Sequence, residues 1–144
     1  MLEIKNMFQP NEEIFKNLQT YIKENASVET WVGRNRTQNK NPIIVFQEAR
    51  NELQTRSTTN DNTTRFLNYN INIYCSHNVN SYDIIKELEV LVTNVMQGHY
   101  RMQGGLIAIL PNFDGKDKIG YQANLRFSTR FIPSELKLYK KGEI

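Results

Sequence analysis

The sequence predicts an α+β fold in which two helices cover one face of a mainly antiparallel sheet. Two segments carry apolar residues at helical spacing, and two others alternate apolar and polar residues as strands do. The length of 144 residues suits one domain, and a hydrophobic fraction of 39% is sufficient for a single core. We therefore expect about four strands in the order α-β-β-α-β-β, packed with the helices as two layers.

The first predicted helix follows Pro10 and ends near Asn25. Asn11 suits the N-cap position, and the two glutamates after it suit the positive end of the helix dipole. Apolar residues recur on one stripe of this helix: Ile14, Leu18, Tyr21 and Ile22.

The second predicted helix begins at Ser81, which we expect to be its cap, and stops at Gly98. Asp83 lies in its first turn, where a negative charge is favourable. The apolar stripe is wide and predicts a helix that faces the core: Ile84, Ile85, Leu88, Leu91, Val92 and Val95.

Four segments read as strands. The first, 42-PIIVF-46, is short and rich in β-branched residues, and the second covers 66–75. A short apolar run at 106–110 is the third. The turn-like segment 111-PNFDGKDKIG-120 separates it from the fourth, 121–131.

Residues 49–65 have no hydrophobic periodicity, which predicts a long flexible loop or the arms of a protruding polar hairpin. The whole net charge of +3 falls within residues 34–65, which hold six basic and three acidic residues. Such a charged segment fits DNA or an acidic protein surface, and it equally fits a solvated loop. We place the domain at residues 1–133 and treat 134–144 as a C-terminal tail.

The two clearest strands carry a row of polar residues on their second face, which we call the amide face. An open antiparallel sheet commonly leaves one face in water. Asparagine is nevertheless depleted in strands, so the row also suits a partner surface or a channel. The residues are Asn68, Asn70 and Asn72 on one strand and Gln122, Asn124, Arg126, Ser128 and Arg130 on the other.

The cysteine content and the N-terminus indicate a protein made in a reducing compartment. Cys75 is the one cysteine, so no intrachain disulfide forms. The N-terminus lacks the basic and then apolar layout of a signal peptide, and no apolar run is long enough to cross a bilayer.

Catalytic and metal-binding patterns are missing from the sequence. Cys75 and His77 have no second pair at zinc-like spacing, and His99 stands apart from them. Gly104-Gly105 is too short to indicate a phosphate loop, and no nucleophile motif is found. We therefore expect no enzymatic activity, no metal and no cofactor.

Two segments carry a resemblance to a known family. The first, 69-YNINIYCSHNVNSYDIIKELEVLVTNVM-96, joins an alternating strand to a helix, and the second, 111-PNFDGKDKIGYQANLRFSTRF-131, is a turn and a long closing strand. In order and spacing the chain resembles the tail terminator (tail completion, or minor capsid) proteins of long-tailed phages. The resemblance covers about residues 10–131.

That resemblance implies a structural virion protein at the phage neck, made in the host cytoplasm. Members of the family form a hexameric ring that caps the tail tube and joins the head connector, and DNA passes through the lumen without sequence recognition. They have no activity or cofactor and no membrane partner. A mobile loop orders on the tube, which here implies Arg50, Arg56 and Arg65. The amide face would supply the lumen or the subunit interface: Asn68, Asn70, Asn72, Arg126 and Arg130.

Two alternatives stay open at this stage. One is a connector or stopper protein of the same neck, which differs in partner rather than in kind. The other is a small nucleic-acid-binding α+β module that would use Tyr74, Arg126 and Arg130 on the open sheet.

Overall fold

The protein, described here from a computed structural model, folds as two helices on a mixed sheet. The structure describes residues 10–36, 41–48, 52–54, 64–76, 80–132 and 137–139. The helices are α1 (Pro10–Asn25) and α2 (Ser81–Thr93), and α2 runs on into a π-helical turn (Asn94–His99). The strands are β1 (Trp31–Gly33), β2 (Ile43–Glu48), β3 (Glu52–Gln54), β4 (Thr64–Ser76), β5 (Gln103–Asp114), β6 (Asp117–Ile132) and β7 (Lys137–Tyr139). The predicted α+β class and both helices are confirmed.

The main path of the sheet runs β1-β2-β4-β6-β5, with β3 beside β4 and β7 beside β6. β1 pairs with β2 in parallel, and the other pairings are antiparallel. The sequence patterns predict neither β1 nor β7, and they predict β3 only as one of two alternatives for residues 49–65, a loop or the arms of a hairpin. Each has only three residues, which is too short for alternation to be recognised.

β4 and β6 form the centre of the sheet. They pair over twelve consecutive positions, from Arg65 opposite Phe131 to Ser76 opposite Gly120. On its other side, each of these two strands pairs with one strand along part of its length and with a different strand along the rest. β2 pairs with residues 69–74 of β4 and β3 with 64–66, while β5 and β7 share β6 in the same way.

Both helices pack on the same face of the sheet. The core joins α1 and α2 to alternate residues of β4 and β6 and to Ile44 and Phe46 of β2. Completely buried members include Ile14, Leu18, Ile22, Ile85, Leu88, Tyr69, Ile71, Ile73 and Phe127. Burying each such side chain contributes on the order of 1.5–3 kcal/mol, so this interface is the main source of stability.

The start of α1 differs from the prediction. The helix begins at Pro10, whose fixed φ and missing N–H suit a first helical position. Asn11 therefore lies inside the helix. Its Oδ1 accepts a hydrogen bond of 2.5 Å from the hydroxyl of buried Tyr69, so it ties α1 to the sheet instead of capping the helix.

The start of α2 also differs. The residue at the cap position is Asn80, which makes no capping bond through its side chain, and Ser81 is a buried first residue of the helix. At the other end, Gly98 lies in the π-helical turn, one residue before that turn ends at His99.

Burial of apolar side chains holds the end of the π-helical turn in place. The N–H of Tyr100 bonds to the carbonyl of Val95, and the N–H of Met102 bonds to that of Met96. All four of these residues are buried in the core. Packing therefore fixes the chain where the helix ends, next to Gly98.

The segment predicted as a turn, 111–120, is mostly strand. It completes a long β5–β6 hairpin whose turn is Gly115-Lys116. Pro111 is tolerated because β5 is an edge strand, where a missing N–H need not break the ladder.

The predicted loop 49–65 contains hairpin arms, because β3 pairs with the first residues of β4. Of the three arginines assigned to it, Arg65 lies on β4, while Arg50 and Arg56 fall outside the described residues. The predicted tail, 134–144, contains β7, which pairs with the end of β6. The sheet therefore reaches past residue 133.

The core face can be tested with a charge at Leu88, which is completely buried on α2. We expect Leu88→Asp to destabilise the domain by roughly 4–5 kcal/mol or more, since the carboxylate gains no partner in the core. Val90→Asp is the control, because Val90 is on the same helix and is 51% exposed. Thermal melting followed by circular dichroism measures both. A Leu88→Asp variant that melts like the wild type would contradict the packing.

The buried Tyr69 hydroxyl predicts a loss of stability at alkaline pH. Burial, with smaller effects of Glu48 and Tyr100, raises the pKa of Tyr69 above its ordinary value of 10.0. Below pH 10, Tyr69 is protonated in both the folded and the unfolded chain, so its titration does not alter the free energy of unfolding. Above it the unfolded chain releases the proton while the folded chain retains it, so the free energy of unfolding falls.

Urea unfolding between pH 9 and 11.5 measures this loss. We expect Tyr69→Phe to be less stable at neutral pH, by about 1–2 kcal/mol, because Asn11 loses its donor. The same variant should lose less stability than the wild type as the pH rises. Tyr82→Phe, at an exposed position, is the control. Equal pH slopes for the wild type and Tyr69→Phe would refute the assignment.

Candidate functional site

The register of β4 and β6 brings the two predicted polar rows side by side. Asn68 lies opposite Ser128, Asn70 opposite Arg126, and Asn72 opposite Asn124. Because directly opposed side chains in a sheet are about 5 Å apart, the two rows form one continuous polar surface. Arg130, at the end of β6, is exposed and extends this surface beyond Asn68.

Contacts within the amide face orient its side chains. The Nε of Arg126 donates to the Oδ1 of Asn70 at 3.2 Å, and the Nε2 of Gln122 donates to the Oδ1 of Asn124 at 3.5 Å. The asparagines are half-buried and Arg126 is exposed. The face therefore offers further amide donors and acceptors, together with a guanidinium held in place by a neighbour.

A shallow groove of about 340 Å³ crosses the amide face. Four strands contribute to it: Gln47 from β2, Asn70 and Asn72 from β4, Asn124, Leu125 and Arg126 from β6, and Ile107 from β5. With neutral amides along its floor, the groove can bind polar groups of a partner without a strong net charge.

The margins of the amide face are apolar, which corrects the expectation that only one side of the sheet is hydrophobic. On the β2 side, Ile43 and Val45 lie opposite Tyr74 and Asn72. Both are only 3% exposed, so β2 is buried on both faces. On the β5 side, Ile107 is 59% exposed beside the groove.

Tyr74 lies on the amide face, but Arg36 covers its ring. The guanidinium carbon of Arg36 is 4.0 Å from the ring centroid, a cation–π contact. On that face of the ring, a base would have to displace Arg36 to stack on Tyr74. The contact counts against the nucleic-acid interpretation, which relies on an open aromatic platform.

Part of the basic segment contacts the neighbouring elements of the fold. Arg34 pairs with Glu12 at 2.5 Å, lies 3.8 Å from Glu48, and places its guanidinium 4.5 Å from the ring centroid of Phe15. These contacts connect the segment after β1 with α1 and β2. Arg34 is thus an anchor between elements, a role that its position in a charge cluster did not indicate.

The groups capable of metal or nucleophile chemistry are dispersed. Within the described ranges, no three His, Cys, Asp or Glu side chains are placed to hold a metal ion together. Burial raises the pKa of the Cys75 thiol, which keeps it protonated and poorly nucleophilic. Glu87 instead accepts hydrogen bonds from the backbone and hydroxyl of Ser27.

No helix in the described part of the chain combines the length and apolar character needed to cross a bilayer. No protein-family model matches the sequence, and neither does any curated protein. Function therefore has to be inferred from the amide face, its margins and the sheet edges.

Sequence patterns do not reveal the apolar margin on β5 or the exposed Trp31 on β1. Ile107 belongs to the short apolar run 106–110, which predicts a strand but not which face each residue occupies. A β-bulge between Leu106 and Ala108 lets Ile107 line the polar groove. No one-dimensional pattern signals such a bulge.

The amide face should contribute little to folding, because both helices pack on the other side of the sheet. We expect Arg126→Ala to change the free energy of unfolding by less than about 1 kcal/mol. Leu125→Ala is the matched control, since Leu125 is the adjacent, buried residue; it should cost about 2–5 kcal/mol. Urea denaturation measures both. An equal loss for the two variants would show that Arg126 is part of the structural framework.

Proposed function

We propose that this protein is a structural component of a phage neck. It forms a ring that caps the tail tube, joins it to the head connector, and lets DNA pass through its lumen. The observation that carries the proposal is the amide face: two polar rows held side by side on the sheet face that the helices leave uncovered. The order of elements supports it through the resemblance to tail terminator proteins.

The chemistry of the amide face suits a conduit or a subunit contact. Each phosphate held by a cation strengthens DNA binding, so a strongly basic lining would slow passage. The side chains of Asn68, Asn70 and Asn72 are uncharged and therefore avoid strong phosphate binding. The guanidinium of Arg126 already donates a hydrogen bond to Asn70. The net charge of the chain, +3, is also modest.

The hairpin that begins with β3 and β4 is the proposed tube-binding element. Its arms continue the sheet beyond the end of β2, away from the turn of the β5–β6 hairpin. Arg56 and Arg65 would pair with acidic groups of the tube protein. A connector or stopper protein of the same neck would have the same ring, and it would bind the connector in place of the tube.

The nucleic-acid alternative is less well supported. Its proposed contacts are Tyr74, Arg126 and Arg130 on an open sheet, with the 50–65 segment binding the nucleic-acid backbone. Arg36 covers Tyr74, and Arg126 already binds Asn70. Filter binding at low salt separates the two functions, because micromolar affinity with a steep salt dependence would favour the nucleic-acid module.

Ring formation and tube docking can be tested together. We expect size-exclusion chromatography with light scattering to find a hexamer, either at high concentration or after addition of the tube protein from the same phage. Replacing both Arg56 and Arg65 with glutamate should leave the melting temperature unchanged and weaken tube capture roughly tenfold, through charge repulsion.

The control for that double variant is Lys23→Glu with Lys86→Glu, which reverses two exposed charges on the helices. A chain that stays monomeric and ignores the tube protein would refute the proposed function. Undiminished capture by the Arg56 and Arg65 variant would refute the role of the hairpin.

A further inference from the structure

The residues that line the groove on the amide face lie across four strands. Gln47 lies opposite Asn70, which lies opposite Arg126, so these three side chains form one line across β2, β4 and β6. Asn72 lies opposite Asn124 in the next such line. Neighbouring strands are about 4.8 Å apart, so the three spacings from β2 to β5 make about 14 Å. An extended peptide rises about 3.4 Å per residue, and a segment of about four residues therefore spans the groove.

Arg126 is the charged residue among the described residues that line the groove. Its Nε donates to Asn70, and this bond holds the exposed guanidinium in place. The terminal Nη1 and Nη2 atoms have no hydrogen-bond or ion-pair partner in the described part of the chain. Two terminal nitrogens of a guanidinium match the two oxygens of a carboxylate. The groove therefore offers a carboxylate a pair of donors whose orientation is already fixed by Asn70.

The amides of the groove suit a peptide backbone. An Asn or Gln side chain carries a carbonyl acceptor and an NH₂ donor, and a peptide backbone likewise presents C=O and N–H groups. The side chains of Gln47 and Asn72 have no hydrogen-bond partner among the described residues. Gln47 is exposed and Asn72 is half-buried. Both amides can therefore bond a backbone that lies across the strands.

The lining favours a peptide over the backbone of a nucleic acid. A phosphate backbone offers acceptors and no donors, so amide carbonyls that face it would lack partners. It also carries a negative charge at every nucleotide, whereas Arg126 is the cation among the described lining residues. At the β5 end of the groove, Ile107 is 59% exposed. An aliphatic side chain next to the bound carboxylate would cover this apolar surface.

We propose that the groove binds an extended acidic peptide segment of a partner protein. An Asp or Glu side chain of that segment accepts two hydrogen bonds from Arg126, and the amides of Gln47 and Asn72 bond its backbone. An adjacent aliphatic side chain of the segment packs on Ile107. The contact rests on the proposed function in one respect, which is the assignment of the segment to another protein of the phage neck.

Two matched pools of capped pentapeptides test the contact. The central residue is Asp or Glu in the acidic pool and Asn or Gln in the amide pool, and aliphatic residues flank the centre in both. We expect the acidic pool to bind roughly tenfold more tightly, because hydrogen bonds to an ionised group are stronger than those between neutral groups. Titration followed by heteronuclear NMR measures both affinities, and the resonances of Asn72 and Arg126 should shift with the acidic pool.

Variants at the groove locate the site. Arg126→Gln removes the charge and retains an amide donor, so it should weaken binding of the acidic pool roughly tenfold. Asn72→Leu removes one amide and should weaken binding of both pools by about the same factor. Lys86→Gln removes an exposed charge on α2, on the other side of the sheet, and should bind as the wild type does. Thermal melting of each variant establishes that it is folded.

Three results would overturn the proposal. The first is equal binding of the two pools. The second is binding of the acidic pool that Arg126→Gln leaves unchanged. The third is a short oligothymidine that binds the groove more tightly than the acidic pool does, since phosphate would then be the preferred ligand.

Light scattering and tube capture separate this contact from the proposed function. A chain that binds the acidic pool through Arg126 but stays monomeric and ignores the tube protein would support the contact and refute the neck function. A hexamer that captures the tube protein and binds neither pool would do the reverse.

Discussion

The structure depends on the antiparallel ladder between β4 and β6. Its twelve residue pairs decide which side chains share a face, because a slip by one residue would move every side chain of one strand to the other side. In the observed register, Tyr69, Ile71 and Ile73 meet Phe127, Leu125 and Ala123 under the helices. The same register assembles the amide face on the reverse side. Core and candidate site are therefore two results of one pairing.

The two faces differ in what they do for the molecule. The helix side is an apolar core in which α1 bonds to two buried tyrosines: Asn11 accepts from Tyr69, and Asn17 donates to Tyr100. The amide face has the hydrogen bonds Arg126–Asn70 and Gln122–Asn124 and apolar margins formed by β2 and β5. Stability thus comes mainly from the helix side, while the amide face presents half-buried amides and an exposed guanidinium.

Much of the fold could be predicted from the sequence, because both helices and the strands β4 and β6 have clear periodicity over ten or more residues. The failures occurred where a distant contact overrides a local preference. Asn11 has the chemistry of a cap but bonds to Tyr69, and Ser81 has the chemistry of a cap but is buried as the first residue of α2. The polar rows were predictable, while the bulge that places Ile107 beside them was not.

The continuous pairing of β4 with β6, with different outer strands at their two ends, has a mechanical consequence. A load applied at the β3–β4 arm and opposed at the Gly120 end would act along the strand axis. In that direction the backbone hydrogen bonds between the two strands stretch in parallel, instead of opening one after another as they would under a peeling force. The domain should thus be stiff along the strands and more compliant across them.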